Sequence, residues 1–248
     1  MVIAGLPPLI GLAHGSRDPR AARMIAAVMC AVSDLRPGLV AVPAFLDLTE
    51  PDLTAAVRAL QDGVLVEGRG PAAEAIVLPL LFSEAFHARV DAPTAVVQAE
   101  EATGVRLRLG EILGMGEDVL LALQDSAGRA HIAAHEAILL LAVGSSREEA
   151  NVDVHDLADR WSRRRPGPVW AGFATTGEPQ ASAVLARATA ARHRIGVVPL
   201  FLAPGLLLDG VAREAMAIDA EVAEPLGIAL AGVVLQRYDE AVAAARAY

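Results

Sequence analysis

Two histidines and one aspartate stand directly after short apolar runs in the first half of the chain: His14, Asp47 and His87. Two imidazoles and one carboxylate suit a divalent first-row metal with open coordination positions. They suit proton transfer equally well, since imidazole titrates near neutral pH. Each residue also has a structural alternative. His14 is then a hydrogen-bonded loop residue, Asp47 the cap of the next helix, and His87 an ordinary surface residue.

Short apolar runs alternate with longer helical stretches around these three residues. Asp18 and Pro19 form a helix start, with the aspartate as N-cap and proline at the first helical position. Apolar strands separated by helices indicate a parallel sheet covered on both faces, which binds ligands at the carboxyl ends of its strands. For the first half we predict strands at Pro8–Ala13, Val40–Leu46, Ala75–Phe82 and Val105–Leu109, and helices at Pro19–Leu35, Pro51–Leu60, Thr94–Thr103 and Glu117–Ala127.

The same alternation restarts in the second half, and three landmarks return in the same order. Ala13–Ser16 matches Ala142–Ser145, Phe45–Pro51 matches Phe173–Pro179, and Leu78–Leu81 matches Val198–Phe201. An internal duplication explains this order, so we predict modules at residues 1–128 and 129–248. For the second half we predict strands at Ala137–Val143, Val169–Phe173, Arg194–Leu202 and Ile228–Val233, and helices at Glu148–Trp161, from Pro179, at Val211–Ala223 and from Gln236.

The second copy lacks the three polar residues. The positions of His14, Asp47 and His87 are occupied by Val143, Thr175 and Leu207. If the polar residues were needed to build the fold, both copies would need them. The asymmetry therefore favours a functional role for the first set.

Composition narrows the possible partners. The net charge is −9, and all 21 basic residues are arginine, which argues against nucleic acid and against chemistry that needs a lysine. The single cysteine, Cys30, cannot form an intramolecular disulfide, and we expect it to be a small core residue within a helix. No apolar run approaches the length of a membrane span, so we expect a cytoplasmic protein that does not contact a membrane.

The segments around these residues resemble the motifs of the sirohydrochlorin chelatases (CbiX/SirB type). Leu12–Arg20 is similar to the opening signature of that family, and Phe45–Pro51 is similar to its second motif. Val77–Leu81 together with His87–Asp91 resembles the third. The second half resembles the degenerate repeat of two-module members.

The resemblance implies two chelatase-like, flavodoxin-like α/β modules and an ATP-independent lyase. Such an enzyme inserts Fe²⁺, which we favour, or Co²⁺ into sirohydrochlorin on the way to sirohaem or cobalamin. The metal is then a substrate, and no prosthetic group is implied. His14 would be proton acceptor and metal ligand, and His87 the second ligand. Asp47 stands where the family usually has glutamate. The residues implied to line the tetrapyrrole are Asp47, Phe82, Ser83, Glu84, Ala85 and Phe86.

Sirohydrochlorin is rich in carboxylates, so an acidic protein must meet it with local positive charge. Arg17, Arg20 and Arg89 lie beside the two histidines in sequence, and the guanidinium fork suits carboxylates. Solvated surface charge is the alternative. We expect a monomer in which the second module replaces the partner of a homodimer. A carrier that binds a tetrapyrrole or a metal without turnover is the alternative function.

Two other groups rank lower. His131 and His135 have helical spacing, but they adjoin a predicted strand and have no acidic partner, so a metal site there is the weaker interpretation. The run from Arg163 to Arg165 is typical of a solvated helix end, where arginines complement the helix dipole.

Overall fold

The computed structural model describes residues 6–63, 73–83 and 87–246, except for the side chains of residues 87, 88, 245 and 246. Among the described residues, none of the helices combines the length and the apolar character needed to cross a bilayer. The chain divides into two compact units. One holds the described residues up to Gly114 together with those from Ile228 onward, and the other spans Met115–Gly227.

The first unit is built on a parallel sheet of four strands in the order β2-β1-β3-β4, the beginning of a flavodoxin-like order. Its strands are β1 (Leu9–Ala13), β2 (Ala41–Phe45), β3 (Glu74–Pro79) and β4 (Arg106–Leu109), and its helices include α1 (Pro19–Leu35), α2 (Leu53–Gln61) and α3 (Ala92–Thr103), with a π-helical turn at His87–Asp91. The central strand β1 is buried along its whole length. Such burial on both faces explains why its sequence is continuously apolar.

Successive residues of β1 face opposite layers of helices. Ile10 and Leu12 pack into a core with α2 and α3. Gly11 faces the other layer, where a Cβ atom would come within 2.5 Å of the sulfur of Met29 on α1. The predicted N-cap is confirmed, because the Asp18 side chain accepts a hydrogen bond from the backbone of Arg20 at 2.9 Å.

The second unit repeats this plan with the order β6-β5-β7-β8. The central strand β5 is again wholly buried, and its core packs against α6 and α7. Its elements are α4 (Glu117–Arg129), β5 (Ala137–Ala142), α5 (Glu148–Ser162), β6 (Val169–Phe173), α6 (Ala181–Ala190), β7 (Ile195–Pro199), α7 (Leu206–Met216) and β8 (Glu221–Val222). The two α/β modules predicted from the repeated landmarks are confirmed. The module boundary predicted near residue 128 refers to the repeat in sequence and stays a prediction.

The last helix of the chain, α8 (Ala231–Arg246), belongs to the first unit, where it packs against α1, β3 and β4. The hydroxyl of Tyr238 donates to the carbonyl of Pro7 at 2.8 Å, and Arg237 Nη2 donates to the carbonyl of Leu113 at 3.0 Å. These bonds attach the C-terminal helix to the segment just before β1 and to the segment after β4. The fold of the unit that carries His14 therefore depends on residues from the end of the chain.

Three predictions for the second half and for α1 are wrong. Ile228–Val233 is not a strand; a 3₁₀ turn at Gly227–Leu230 leads into α8, which therefore begins well before Gln236. Leu230, Val234 and Tyr238 are fully buried at four-residue spacing, the period of a helix face.

The helix predicted at Val211–Ala223 ends at Met216, since Asp219 adopts a left-handed φ of 56°. The strand β8 follows it instead. Cys30 is exposed rather than in the core, because the buried stripe of α1 runs through Ile25, Val28, Met29 and Val32.

Candidate functional site

His14 is the first residue after the central strand of the first unit, and its side chain is exposed. The strands β2 and β3 flank β1 on either side. His14 therefore lies at the carboxyl edge of the sheet between two strand ends, the place where parallel sheets bind ligands.

Asp47 lies beside His14. Its backbone amide donates to the His14 carbonyl at 2.9 Å, which continues the pairing of β1 and β2 beyond the strand ends. Its exposed carboxylate accepts from the amide of Leu48 at 2.8 Å. Asp47 does not cap the next helix, because Asp52 does so through Ala55 at 2.7 Å. The structure thus brings Asp47 and His14 together and excludes the structural alternative for Asp47.

The turn after His14 needs glycine. Gly15 has a left-handed φ of 98°, and a Cβ atom there would lie 1.7 Å from the Asp47 carbonyl oxygen. Only a residue without a side chain allows the two loops to approach this closely. The next residue is fixed by Thr49, whose hydroxyl accepts from the Ser16 amide at 3.0 Å and donates to the Ser16 carbonyl at 2.9 Å.

The β3 side of the site is described only in part. Phe82 and Ser83 follow the strand and are half-buried. Glu84, Ala85 and Phe86 lie outside the described residues. The backbone of His87 begins the π-helical turn, and its side chain also lies outside the description. The ligand role of His87, like the role of the other site residues, therefore stays a prediction.

The three arginines expected near the substrate differ in their surroundings. Arg17 and Arg89 are exposed. Arg20 forms an ion pair with Asp18, with its Nε 3.0 Å from Oδ2. The Arg20 side chain holds the pKa of Asp18 below its ordinary value, since it hydrogen-bonds the ionised carboxyl, with a further contribution from the Arg20 amide. Arg20 therefore has a structural role at the start of α1.

The second unit builds the same edge without the imidazole. Thr175 donates its amide to the Val143 carbonyl at 2.9 Å, as Asp47 does to His14. Gly144 has a φ of 93°, and a Cβ atom there would lie 1.9 Å from the carbonyl oxygen of Thr176. Val143 is 42% exposed, so an apolar side chain stands where the first unit presents His14. Leu207, in the position of His87, is 44% exposed on α7.

The lower-ranked groups do not form a second site. His131 and His135 do not share a helix, because α4 ends at Arg129 and His131 has a left-handed φ of 58°. Of the run that follows α5, Arg165 is half-buried and donates to the carbonyl of Ala133 at 2.8 Å, so it is not a fully solvated helix end. Burial also lowers its pKa. In the described part of the chain, no three His, Cys, Asp or Glu side chains are grouped in a way that could hold a metal ion.

Thr49 is the residue of this edge that sequence reasoning missed. It lies inside the second motif, between Asp47 and Glu50, but nothing in the letters shows that its hydroxyl binds a backbone 33 residues away. The available signal was the repeat itself, since Gly177 occupies the corresponding position of the second copy and cannot make such bonds.

Comparison with known proteins agrees with this duplicated architecture. A family model, CbiX, matches the chain twice, over residues 8–130 and 137–241. SirB from Bacillus subtilis with Fe³⁺ has a TM-score of 0.80 and 23% identity, and the match covers 97% of each chain. SirB from Bacillus subtilis subspecies spizizenii in complex with cobalt has a TM-score of 0.74 and 23% identity, covering 95% of this chain and 94% of that one.

A third structure is CbiX, described as the terminal enzyme for biosynthesis of sirohaem in denitrifying bacteria. Its TM-score is 0.64 and its identity 20%, with coverage of 95% of this chain and 99% of that chain. A search of the curated proteins finds no match. At these identities the three structures establish the fold, and the double family match confirms that the fold is a tandem repeat.

Proposed function

This chain belongs to the CbiX family, and on that premise we propose that it is a sirohydrochlorin chelatase, an ATP-independent lyase. The observation that carries the proposal is the difference between two matching strand ends. An exposed histidine stands after β1, and its carbonyl binds the backbone of an exposed aspartate after β2; a valine stands after β5 and a threonine after β6. The glycine turn after the central strand has a left-handed φ in both places, 98° at Gly15 and 93° at Gly144, so His14 is not required to form it.

Metal insertion exchanges protons for a metal ion. Two pyrrole N–H protons leave the macrocycle as M²⁺ binds the ring nitrogens. We assign His14 to accept one of these protons once the metal has passed to the ring, since a neutral imidazole is an effective base near neutral pH, and the other proton leaves to solvent at this exposed edge. His14 and His87 would also hold the metal before transfer, with open positions left for the ring nitrogens. Asp47 supplies negative charge next to the incoming cation.

Substrate recognition combines an apolar and a charged contribution. Phe82 and Ser83 follow β3 and would line the macrocycle together with Glu84, Ala85 and Phe86, which are assigned from the sequence alone. Arg17 follows β1 in the chain and Arg89 follows β3. Both side chains are exposed and would meet the carboxylates of the macrocycle. This local charge is needed because the chain as a whole carries −9.

We propose Fe²⁺ as the metal, with Co²⁺ as the other candidate. Two imidazoles and a carboxylate do not select between them, since affinities of such ligands follow the Irving–Williams order. The SirB structures similar to this chain hold Fe³⁺ in one case and cobalt in the other. A monomer whose second module takes the place of a partner subunit, and a cytoplasmic location, remain predictions from the sequence.

The proposal is tested by mixing the protein anaerobically with sirohydrochlorin and Fe²⁺ or Co²⁺ and following metallation by absorption spectroscopy. The wild type should accelerate metallation over the protein-free rate. His14→Ala should lose about 10²-fold or more of that rate, the range of a lost general base. His135→Ala is the matched control, since His135 is exposed but precedes β5, at the opposite end of its sheet from the ligand-binding edge.

Three results would count against the proposed activity or against the role of His14. Stoichiometric tetrapyrrole or metal binding without acceleration would indicate the carrier function instead. Equal rates for wild type and His14→Ala would remove the imidazole from the mechanism. An equal loss in His14→Ala and His135→Ala would indicate a general effect of histidine removal rather than a site.

A further inference from the structure

The backbone of the turn that follows the central strand is held by different side-chain hydrogen bonds in the two units. In the first unit, Thr49 makes two bonds to the backbone of Ser16, accepting from its amide at 3.0 Å and donating to its carbonyl at 2.9 Å. A hydroxyl has one donor and two acceptor positions, so Thr49 fits this double role. Thr49 belongs to the loop after β2, and the bonds therefore join that loop to the loop that carries His14.

In the second unit the same two backbone groups are bound by a residue of the helix that follows. Asn151 Oδ1 accepts from the Ser145 amide at 2.9 Å, and Asn151 Nδ2 donates to the Ser145 carbonyl at 2.8 Å. Asn151 lies on α5, only six residues further along the chain. Asn151 Nδ2 also lies against the loop after β6, since a Cβ atom at Gly177 would come 3.0 Å from it.

The two loops of the second unit are joined by another side chain. The hydroxyl of Thr175 donates to the Val143 carbonyl at 2.7 Å. The corresponding residue of the first unit is Asp47, and an ionised carboxylate cannot donate a hydrogen bond. In the second unit, the side-chain hydrogen bond between the loops is thus made by Thr175, at the position of Asp47. In the first unit it is made two residues later, by Thr49.

We propose that Thr49 is a positioning residue for the metal-insertion site. By joining Ser16 to the loop of Asp47, it holds the His14 imidazole and the Asp47 carboxylate in one fixed arrangement. It also releases position 47 from the connecting role that Thr175 has, so that a carboxylate can stand there. This inference rests on the proposed function, because the arrangement matters for turnover only if His14 acts on the substrate.

The hydrogen bonds of Thr49 and of Asn151 provide a matched pair of variants. Thr49→Val and Asn151→Leu keep the approximate shape of the side chain, and each removes two hydrogen bonds to an equivalent serine backbone. Both should lower the melting temperature by a similar few degrees. Only Thr49→Val should lower kcat, by about 10- to 100-fold, because a displaced catalytic group costs rate steeply. Its KM for sirohydrochlorin should change less than about threefold, since the carboxylate-binding arginines are untouched.

Thr49→Ser restores the hydroxyl and should recover kcat to within about threefold of wild type. If Thr49→Val does not fold, Thr49→Ala replaces it, because the smaller side chain leaves space for a water at the Ser16 backbone. A loss of kcat in Asn151→Leu equal to that in the Thr49 variant would overturn the proposal, and so would a failure of Thr49→Ser to recover activity.

A second readout does not depend on turnover. The ring resonances of the histidines are recorded by NMR, and the His14 signal is identified by its loss in His14→Ala. Thr49→Val should shift the His14 signal, and Asn151→Leu should leave it in place. An unmoved His14 signal in Thr49→Val would refute the positioning role even if the wild type showed no chelatase activity, which would separately refute the proposed function.

Discussion

Replacing Tyr238 tests whether the last helix stabilises the unit that carries His14. Tyr238 is fully buried, and its hydroxyl donates to the Pro7 carbonyl at 2.8 Å, just before β1. Tyr238→Phe removes that bond and leaves the acceptor without it, at a cost of about 1 kcal/mol. Tyr238→Ala also removes a fully buried ring and should cost about 3–5 kcal/mol.

The distribution of aromatic residues makes the two units separately observable. Both tryptophans of the chain, Trp161 and Trp170, lie in the second unit. Tryptophan fluorescence therefore reports unfolding of that unit, and far-UV circular dichroism reports both. In urea or on heating, Tyr238→Phe should move the dichroism transition down by roughly 4 °C and Tyr238→Ala by more than 10 °C. The fluorescence transition should move no more than the dichroism transition.

Asp239→Asn is the matched control, since it changes the next residue of the same helix. Asp239 forms an exposed ion pair with Arg36, with Nη2 2.8 Å from Oδ2, and such pairs contribute at most about 1 kcal/mol. The reasoning is refuted if Tyr238→Ala shifts the dichroism midpoint no further than Asp239→Asn does. It is also refuted if the variant moves the tryptophan signal alone.

Three further predictions concern the edge of the first sheet. In Asp47→Thr, the new hydroxyl should donate to the carbonyl of His14, as Thr175 does to the carbonyl of Val143. The melting temperature should then stay unchanged or rise by up to a few degrees, while the metallation rate falls. A lower melting temperature with full activity would contradict this. Gly15→Ala forces a Cβ atom against the Asp47 carbonyl at a left-handed φ, so we expect a loss of more than about 3 kcal/mol in urea unfolding, and a loss under about 1 kcal/mol would show that the loops are not held this close. Asp18→Asn keeps a good N-cap but removes the charge. The pKa of Asp18 is depressed in the folded state, so its ionised form stabilises the protein at pH values above the ordinary pKa of 3.8, and this contribution is lost as the pH falls through the lower folded pKa. Between pH 5 and about pH 2, the free energy of unfolding should therefore fall less in Asp18→Asn than in the wild type. An equal fall in both proteins would contradict the assignment.

The sequence predicted much of the fold because local signals and tertiary packing agree over most of the chain. The helix Pro19–Leu35 was predicted with its observed ends, since an aspartate cap, a proline at the first position and a buried stripe all lie in one segment. The strand Val169–Phe173 was also predicted with its observed bounds, because buried parallel strands are continuously apolar.

The prediction was wrong where a helix is buried on a broad face. The run Ile228–Val233 is short, apolar and flanked by glycine, which is typical of a buried strand. Its helical period becomes visible only when Tyr238 is included, eight residues after Leu230. The packing of α8 in the first unit could not be predicted, because periodicity carries no information on which sheet a helix covers.

Part of the candidate site could be predicted because the duplication supplies an internal control. Loss of His14 and Asp47 from the second copy marks them as dispensable for the fold, and the structure places the two residues together. Thr49 could not be found in this way. Its role depends on two hydrogen bonds between distant loops, and in the second copy Asn151 binds the backbone of the equivalent serine instead.

The different side-chain hydrogen bonds of the two loops also explain how one scaffold can carry the proposed site in one copy and not in the other. A loop that ends a strand must satisfy its backbone groups whether or not it binds a ligand. In the second unit, the residue at the ligand-binding edge is used for this purpose, as Thr175 shows. In the first unit, Thr49 joins the two loops through the backbone of Ser16 instead, so the edge position can hold a carboxylate. Functional side chains are then added without loss of the turn, provided that a neighbouring residue joins the two loops, and Thr49 is that residue here.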